Sequence, residues 1–170
     1  MTNATPTLLA DALTTVINTA VTAVELETVG FTARRSYPDW DDDFSDLKDL
    51  AVDVVFVASN GTNGDLVDLD SAGTINTGPA IDIAVRKRFQ PADREANGRL
   101  KNTSVDPLVR LVEQIHELFA GDRATEITLA AGIAANWVDS SVRTYCDYAK
   151  LRQGCFLGVV RIRYDVSKAG

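Results

Sequence analysis

The densest run of ionisable side chains lies in Tyr37-Pro-Asp-Trp-Asp-Asp-Asp-Phe44, where Asp39, Asp41, Asp42 and Asp43 are followed by Asp46. Clustered carboxylates suit Ca²⁺ or Mg²⁺, hard cations that take oxygen ligands. The run lacks the glycine and the spaced terminal glutamate of an EF-hand loop, and Asp68-Leu-Asp70-Ser-Ala-Gly73 misses that spacing too. A solvated or partner-facing acidic turn is the better reading, with a carboxylate-dependent metal hydrolase built on Asp39 to Asp46 as a rival. His116 is the only histidine, so general acid-base work or a nucleophilic triad would have to use it. It sits between apolar Ile115 and Leu118 with no Gly-x-Ser-x-Gly elbow or cysteine-centred signature, which fits a helix-boundary histidine without catalytic duty. No Gly-x-Gly-x-x-Gly follows a strand, and no phosphate-binding loop is present. The residues therefore point away from an enzyme, and no catalytic residue, metal or cofactor is expected.

Arginines form the second constellation. In Ile81-Asp-Ile-Ala-Val-Arg-Lys-Arg-Phe89 the apolar positions alternate with Asp82, Arg86 and Arg88, the period of a strand with one buried face. Phe156, Gly158, Val160, Ile162, Tyr164 and Val166 repeat the pattern, with Arg161, Arg163 and Asp165 on the other side. Arg86, Arg88, Arg161 and Arg163 then share one side of a sheet if the two strands pair or sit one strand apart. That side is either the ordinary wet face of an antiparallel sheet or a contact surface for the acidic turn of a neighbouring copy, since opposite patches on one subunit permit head-to-tail association.

The elements that must position these groups are legible in part. Asp106 before Pro107 reads as an N-cap with proline at the first helical position, and Leu108, Leu111, Val112, Ile115 and Phe119 give a helix over Val105 to Ala120. Thr5-Pro6 opens another helix running to about Thr28, with Leu9, Leu13, Val16, Ile17, Ala20 and Val24 on its stripe and Gly30 ending it. Phe31 to Tyr37 reads as a short strand stopped by Pro38, and the β-branched run Ala51 to Ala58 as a central one. Ser59 to Pro79, rich in Asn-Gly pairs, reads as an extended hairpin between antiparallel strands, with Asp65 to Leu69 pairing at its tip. Its polar residues Asn60, Asn63, Asp65, Asp68 and Asp70 are candidate contact groups. Between Gly121 and Gly154 only Glu126 to Leu129 suggests a strand. The expectation is a single α+β domain over 1–170: a mainly antiparallel sheet of about four strands, two helices on one face, in the order α-β-β-β-α-β.

The totals narrow the setting. Cys146 and Cys155 are the only cysteines and fit buried thiols in a reducing compartment. No apolar run reaches the roughly 18 residues of a membrane span, and the opening Met1-Thr-Asn-Ala-Thr-Pro-Thr has no basic residue ahead of its apolar run, so the protein is expected to be soluble and not exported. The net charge of −7 disfavours nucleic acid as a bound partner. Seven aspartates against Lys48 between Asp39 and Asp53 account for nearly all of it.

The order of elements, together with Ala33-Arg-Arg-Ser-Tyr-Pro38, Asp46-Leu-Lys-Asp-Leu-Ala-Val-Asp-Val-Val55, Ile81 to Phe89, Val105-Asp-Pro-Leu-Val-Arg-Leu-Val-Glu113 and Phe156-Leu-Gly-Val-Val-Arg-Ile-Arg-Tyr164, resembles the tail-terminator, or tail-completion, proteins of long-tailed bacteriophages. The resemblance implies a non-enzymatic virion protein assembled in the host cytoplasm. It implies a homo-oligomeric ring, a hexamer, that caps the tail tube and meets the head-tail connector or neck, with DNA only as passing cargo. A head-to-tail adaptor or neck protein of the same virion is the nearest alternative. A small-molecule-binding domain, which would need an apolar pocket with convergent polar groups, is a more distant one.

Overall fold

In the computed structural model, residues 5–37, 47–57, 68–69, 75–76, 80–121 and 126–168 are described. Helix α1 spans Thr5–Thr22, followed by strands β1, Ala33–Arg35, and β2, Ala51–Val57. Two short strands, β3 (Asp68–Leu69) and β4 (Ile75–Asn76), precede β5 (Ala80–Arg88); a 3-10 turn at Pro91–Asp93 then leads to helix α2, Asn102–Ala120. Strands β6 (Glu126–Ala130) and β7 (Ile133–Thr144), helix α3 (Tyr148–Arg152) and strand β8 (Cys155–Lys168) complete the order.

The expected sheet of about four strands with two helices is overturned. Six strands in the order β1-β2-β5-β8-β7-β6 form a mixed sheet curled into a half-barrel, and the described residues hold three α-helices. The β1–β2 pair is parallel, with Ala33 opposite Val52, and the other neighbours run antiparallel. The β2 run is therefore one strand in from the edge. Strand β7 is the largest omission from the sequence reading. Its Ala134, Ala135, Asn136, Ser140 and Ser141 are small or polar, and the register shifts at Trp137/Asp139 and Val142/Thr144. Each bulge inserts an extra residue and reverses the alternation that a period-two search looks for.

One face of the sheet carries the core. Val52, Val54, Ile81, Ile83, Val85, Phe156, Val160, Ile162 and Tyr164 are buried with Leu9, Leu13 and Ile17 of α1 and Leu111, Val112, Ile115 and Phe119 of α2. Each fully buried Leu, Ile or Phe contributes about 1.5–3 kcal/mol. Helix α2 packs on β5, β7 and β8, whereas α1 touches β1, β2 and β6, so it bridges the two edge strands that the curl brings round. Gly158 allows α2 its close approach: a Cβ there would lie 2.4 Å from Val112 Cγ2 and 3.0 Å from the Tyr145 carbonyl oxygen.

Both helix boundaries differ from expectation. Helix α1 stops at Thr22 instead of about Thr28, and Gly30 is not its terminator. Val24 takes a left-handed conformation (φ 56°) and the Glu25 N–H donates to the Ala20 carbonyl at 3.0 Å, the pattern of a Schellman stop. Val24, placed on the apolar stripe by periodicity, is consequently 73% exposed. Helix α2 begins at Asn102, with Lys101 at the N-cap position making no side-chain cap bond and Pro107 inside the helix instead of at its first position. The start is fixed by Asp93. Its carboxylate accepts from the Gln90 N–H at 2.7 Å, its own carbonyl accepts from the Lys101 N–H at 2.9 Å, and the Ser104 hydroxyl also bonds the side chain.

Candidate interaction surfaces

Strands β5 and β8 pair directly, so Arg86, Arg88, Arg161 and Arg163 do share the face opposite the helices. Period-two alternation places Asp53, Asp82 and Asp139 on that face as well. Asp82 stands opposite Arg161, and Asp139 opposite Arg163. Arg161 grips Asp82 with two bonds, Nε to Oδ1 at 2.7 Å and Nη2 to Oδ2 at 2.9 Å. Arg163 binds Asp139 in the same manner, with Nε 2.9 Å from Oδ1. Arg88 is exposed at the end of β5, where its N–H donates to the Leu47 carbonyl at 2.9 Å.

The tightest knot is around Asp53. This carboxylate is fully buried and accepts from Arg86 Nη2 at 2.6 Å, Arg86 Nε at 3.0 Å, Arg34 Nε at 2.9 Å and Ser36 Oγ at 2.8 Å. Burial alone would raise its pKa, yet the bonds from Arg34, Arg86 and Ser36 and the Arg86 charge outweigh that and hold it below the ordinary carboxylate value. Asp139 is lowered chiefly by its bonds from Arg163, with burial opposing. Arg86 is itself only 5% exposed. As a contact for another molecule's carboxylates it is already committed within the chain, whereas Arg161 and Arg163 retain partial exposure.

The other expected contacts fall outside the described residues: Asp39, Asp41, Asp42, Asp43, Asn60, Asn63, Asp65 and Asp70. Asp68 opens β3, whose two residues pair with Ile75 and Asn76 of β4 as a sheet separate from the main one.

Catalytic chemistry has little to work with among the described residues. No three His, Cys, Asp or Glu side chains there converge on a possible metal position. His116 Nδ1 lies 2.8 Å from Ser140 Oγ across the α2–β7 contact, and among the described residues no carboxylate bond to the imidazole completes a relay. The Cys155 thiol is pushed up by burial, against the charges of Arg88 and Lys150, and the Cys146 thiol is pushed up by burial and by Asp147; both therefore stay protonated at neutral pH and are poor nucleophiles.

A second surface, which sequence reasoning passed over, lies where α3 meets the turn before α2. It is an open depression lined by Arg99, Leu100, Tyr148, Leu151 and Arg152. Leu100 is held by an isolated bridge to Arg94, and the turn between them closes through Glu95 N–H to the Arg99 carbonyl at 2.8 Å. Asp147 caps α3 by accepting from the Ala149 and Lys150 N–H groups at 2.8 and 3.1 Å. Gly154 ends it at φ 79°, and a Cβ at that position would lie 2.8 Å from Arg94 Nη2. Leu100 and Leu151 rest on the core, while Tyr148 is 73% exposed. Among the described residues neither Arg99 nor Arg152 has an acidic partner. The sequence signal was Arg94, Arg99, Lys150 and Arg152 beside Tyr145 and Tyr148, spread over two segments that only the fold brings together.

No protein-family model matches the chain, and no curated protein matches it in sequence.

Proposed function

We propose that the chain is a ring-forming structural subunit of a phage virion, a tail-terminator-like protein that closes the tail tube and meets the neck through surfaces instead of a pocket. The observation that carries this reading is the β3–β4 hairpin. Among the described residues between Val57 and Ala80, Asp68–Leu69 pairs with Ile75–Asn76 in a two-stranded sheet separate from the six-stranded one. An isolated hairpin is marginal in water, so one kept apart from the parent sheet is suited to completion by a neighbouring subunit. The resemblance of the strand phrases Ile81–Phe89 and Phe156–Tyr164 and of the helix phrase Val105–Glu113 supplies the virion context. Chemistry on the described surface supports it further, since the polar groups of the sheet are spent on cross-strand ion pairs that stiffen the subunit.

Native mass measurement and negative-stain imaging of the purified protein test the reading. The expected result is a closed ring of about six times the 18.4 kDa chain mass, lost when Asn60–Gly78 is replaced by Asn-Gly while far-ultraviolet circular dichroism is retained. A particle of single-chain mass at every concentration up to about 100 μM would sink the reading, because a Kd weaker than that corresponds to only about 5–6 kcal/mol.

A further inference from the structure

We propose that the depression formed by Arg99, Leu100, Tyr148, Leu151 and Arg152 is the docking site for the acidic, aromatic stretch Asp39–Phe44 of a second copy of the chain. The proposal rests on the ring reading and names the two halves of its subunit contact, which differ from the sheet-face arginines expected from sequence.

A protein of net charge −7 repels its own copies unless specific opposite patches meet. The sheet-face guanidiniums of Arg86, Arg161 and Arg163 are bonded to Asp53, Asp82 and Asp139 of their own chain, so attracting a neighbour's carboxylates through them would mean competing with bonds already made. Arg99 and Arg152 face no such competition: both are exposed and neither has an acidic partner among the described residues. Arg94, bonded through Nη1 to the Gly98 carbonyl at 2.9 Å, adds a third positive charge beside them. Capping of α3 occupies Asp147, the acidic side chain nearest in sequence on the other wall.

Shape and polarity complete the match. The floor of the depression is Leu100 and Leu151, and Tyr148 stands exposed on its rim. Asp39-Trp-Asp-Asp-Asp-Phe44 interleaves carboxylates with Trp40 and Phe44. Carboxylates on guanidiniums give charge-assisted, often two-pronged hydrogen bonds, and aromatic side chains on an apolar floor supply the desolvated anchors that dominate contact energies. A nucleic acid strand would also offer anions and flat rings, but the carboxylate-rich chain as a whole opposes phosphate. Donor stretch and acceptor depression are different segments of the chain, so the proposed contact pairs unlike parts of two copies, the head-to-tail kind that closes into a ring.

The experiment uses the full chain and two charge-reversed variants, Arg99→Glu/Arg152→Glu and Asp41→Arg/Asp43→Arg, examined by sedimentation velocity alone and mixed in equal amounts. The residues changed in the first variant are exposed, and circular dichroism verifies the fold of both. Each variant alone should lose association at least tenfold, and the mixture should recover it, because each reversed stretch then meets a reversed depression. A synthetic peptide spanning Tyr37–Asp46 should bind the wild-type chain in fluorescence anisotropy and lose at least tenfold in affinity for Arg99→Glu/Arg152→Glu. Association undiminished in the depression variant overturns the proposal and leaves the ring reading intact. A monomeric wild type sinks the ring reading, and the peptide titration then judges the docking site independently. Recovery only when both reversals are in one chain would place the contact within a subunit and overturn the proposal. Binding of a single-stranded oligonucleotide at Arg99 and Arg152 with no binding of the peptide would overturn it in favour of nucleic acid.

Discussion

Arg86 and Arg152 are guanidiniums on the same acidic chain in opposite circumstances. Arg86 is 5% exposed and places two bonds on Asp53, whereas Arg152 is exposed at the end of α3 with no acidic partner among the described residues. The first belongs to a ladder of Arg–Asp pairs that ties β1, β2, β5, β8 and β7 together across one face. The second belongs to a rim of charges around two leucines. The position of the nearest carboxylate separates the two: Arg86 has one within its own chain and makes a brace, whereas Arg152 has none among the described residues and is left as an exposed charge.

The comparison breaks most severely at Asp53. Replacing it with Ala takes away the carboxylate that accepts two bonds from buried Arg86, and loss of one partner of a buried pair costs about 3–5 kcal/mol. Urea unfolding should show that loss in the midpoint, with little change in slope. A change under 1 kcal/mol would mean that the pair is solvated in practice and that the ladder does not brace the sheet. Arg161→Ala is the intermediate case. It strips both hydrogen bonds from Asp82, which is 8% exposed, and should cost about 1–3 kcal/mol, the range for leaving a buried polar group unsatisfied.

The same ladder predicts how stability follows pH. Asp53 and Asp139 titrate below the ordinary 3.8 in the folded chain, so the unfolded chain takes up protons first as pH falls. Their contribution is complete above that ordinary value and disappears as pH drops from about 4 through the lower folded values. The urea midpoint should accordingly be flat for these groups from neutrality to about pH 5 and then fall. Asp53→Asn, having no proton to gain there, should show a shallower fall. An equal slope in the variant would assign the acid sensitivity to other carboxylates.

How much of this was legible depended on whether neighbours in sequence are neighbours in space. Strands β5 and β8 were readable because alternation holds along Ile81–Arg88 and Phe156–Tyr164 without a bulge, and the shared side of their arginines followed from it. Strand β7 was opaque for the opposite reason, with two bulges in a run of small side chains. The ion pairs were half visible. Asp82 and the arginines were assigned to one face, but the Asp53 partnership depends on β1 lying parallel beside β2, which no local pattern reveals. Helix ends were misplaced where tertiary bonds overrode cap signals: Asp93 reaches across to start α2 ahead of Asp106-Pro107, and Val24 accepts a left-handed stop that glycine usually supplies. The depression was invisible, since it joins Arg99 and Leu100 to residues some fifty positions later.

The rim arginines should matter least for stability, and that is what separates them from the sheet-face pairs. Arg99→Ala/Arg152→Ala removes two exposed guanidiniums that have no acidic partner among the described residues, so unfolding should shift by no more than about 0.5 kcal/mol, as for ordinary surface substitutions. Arg161→Ala, by contrast, should weaken the fold while leaving subunit association, measured under conditions where the chain stays folded, close to wild type. The two substitutions therefore make opposite predictions in two assays. If Arg99→Ala/Arg152→Ala destabilises the isolated chain as much as Arg161→Ala does, the rim arginines are braces as well, and the division between inward and outward charge fails. If stability is unchanged and association falls, the position of the counter-charge is what separates the two groups, because the altered side chains are chemically identical and only their surroundings differ.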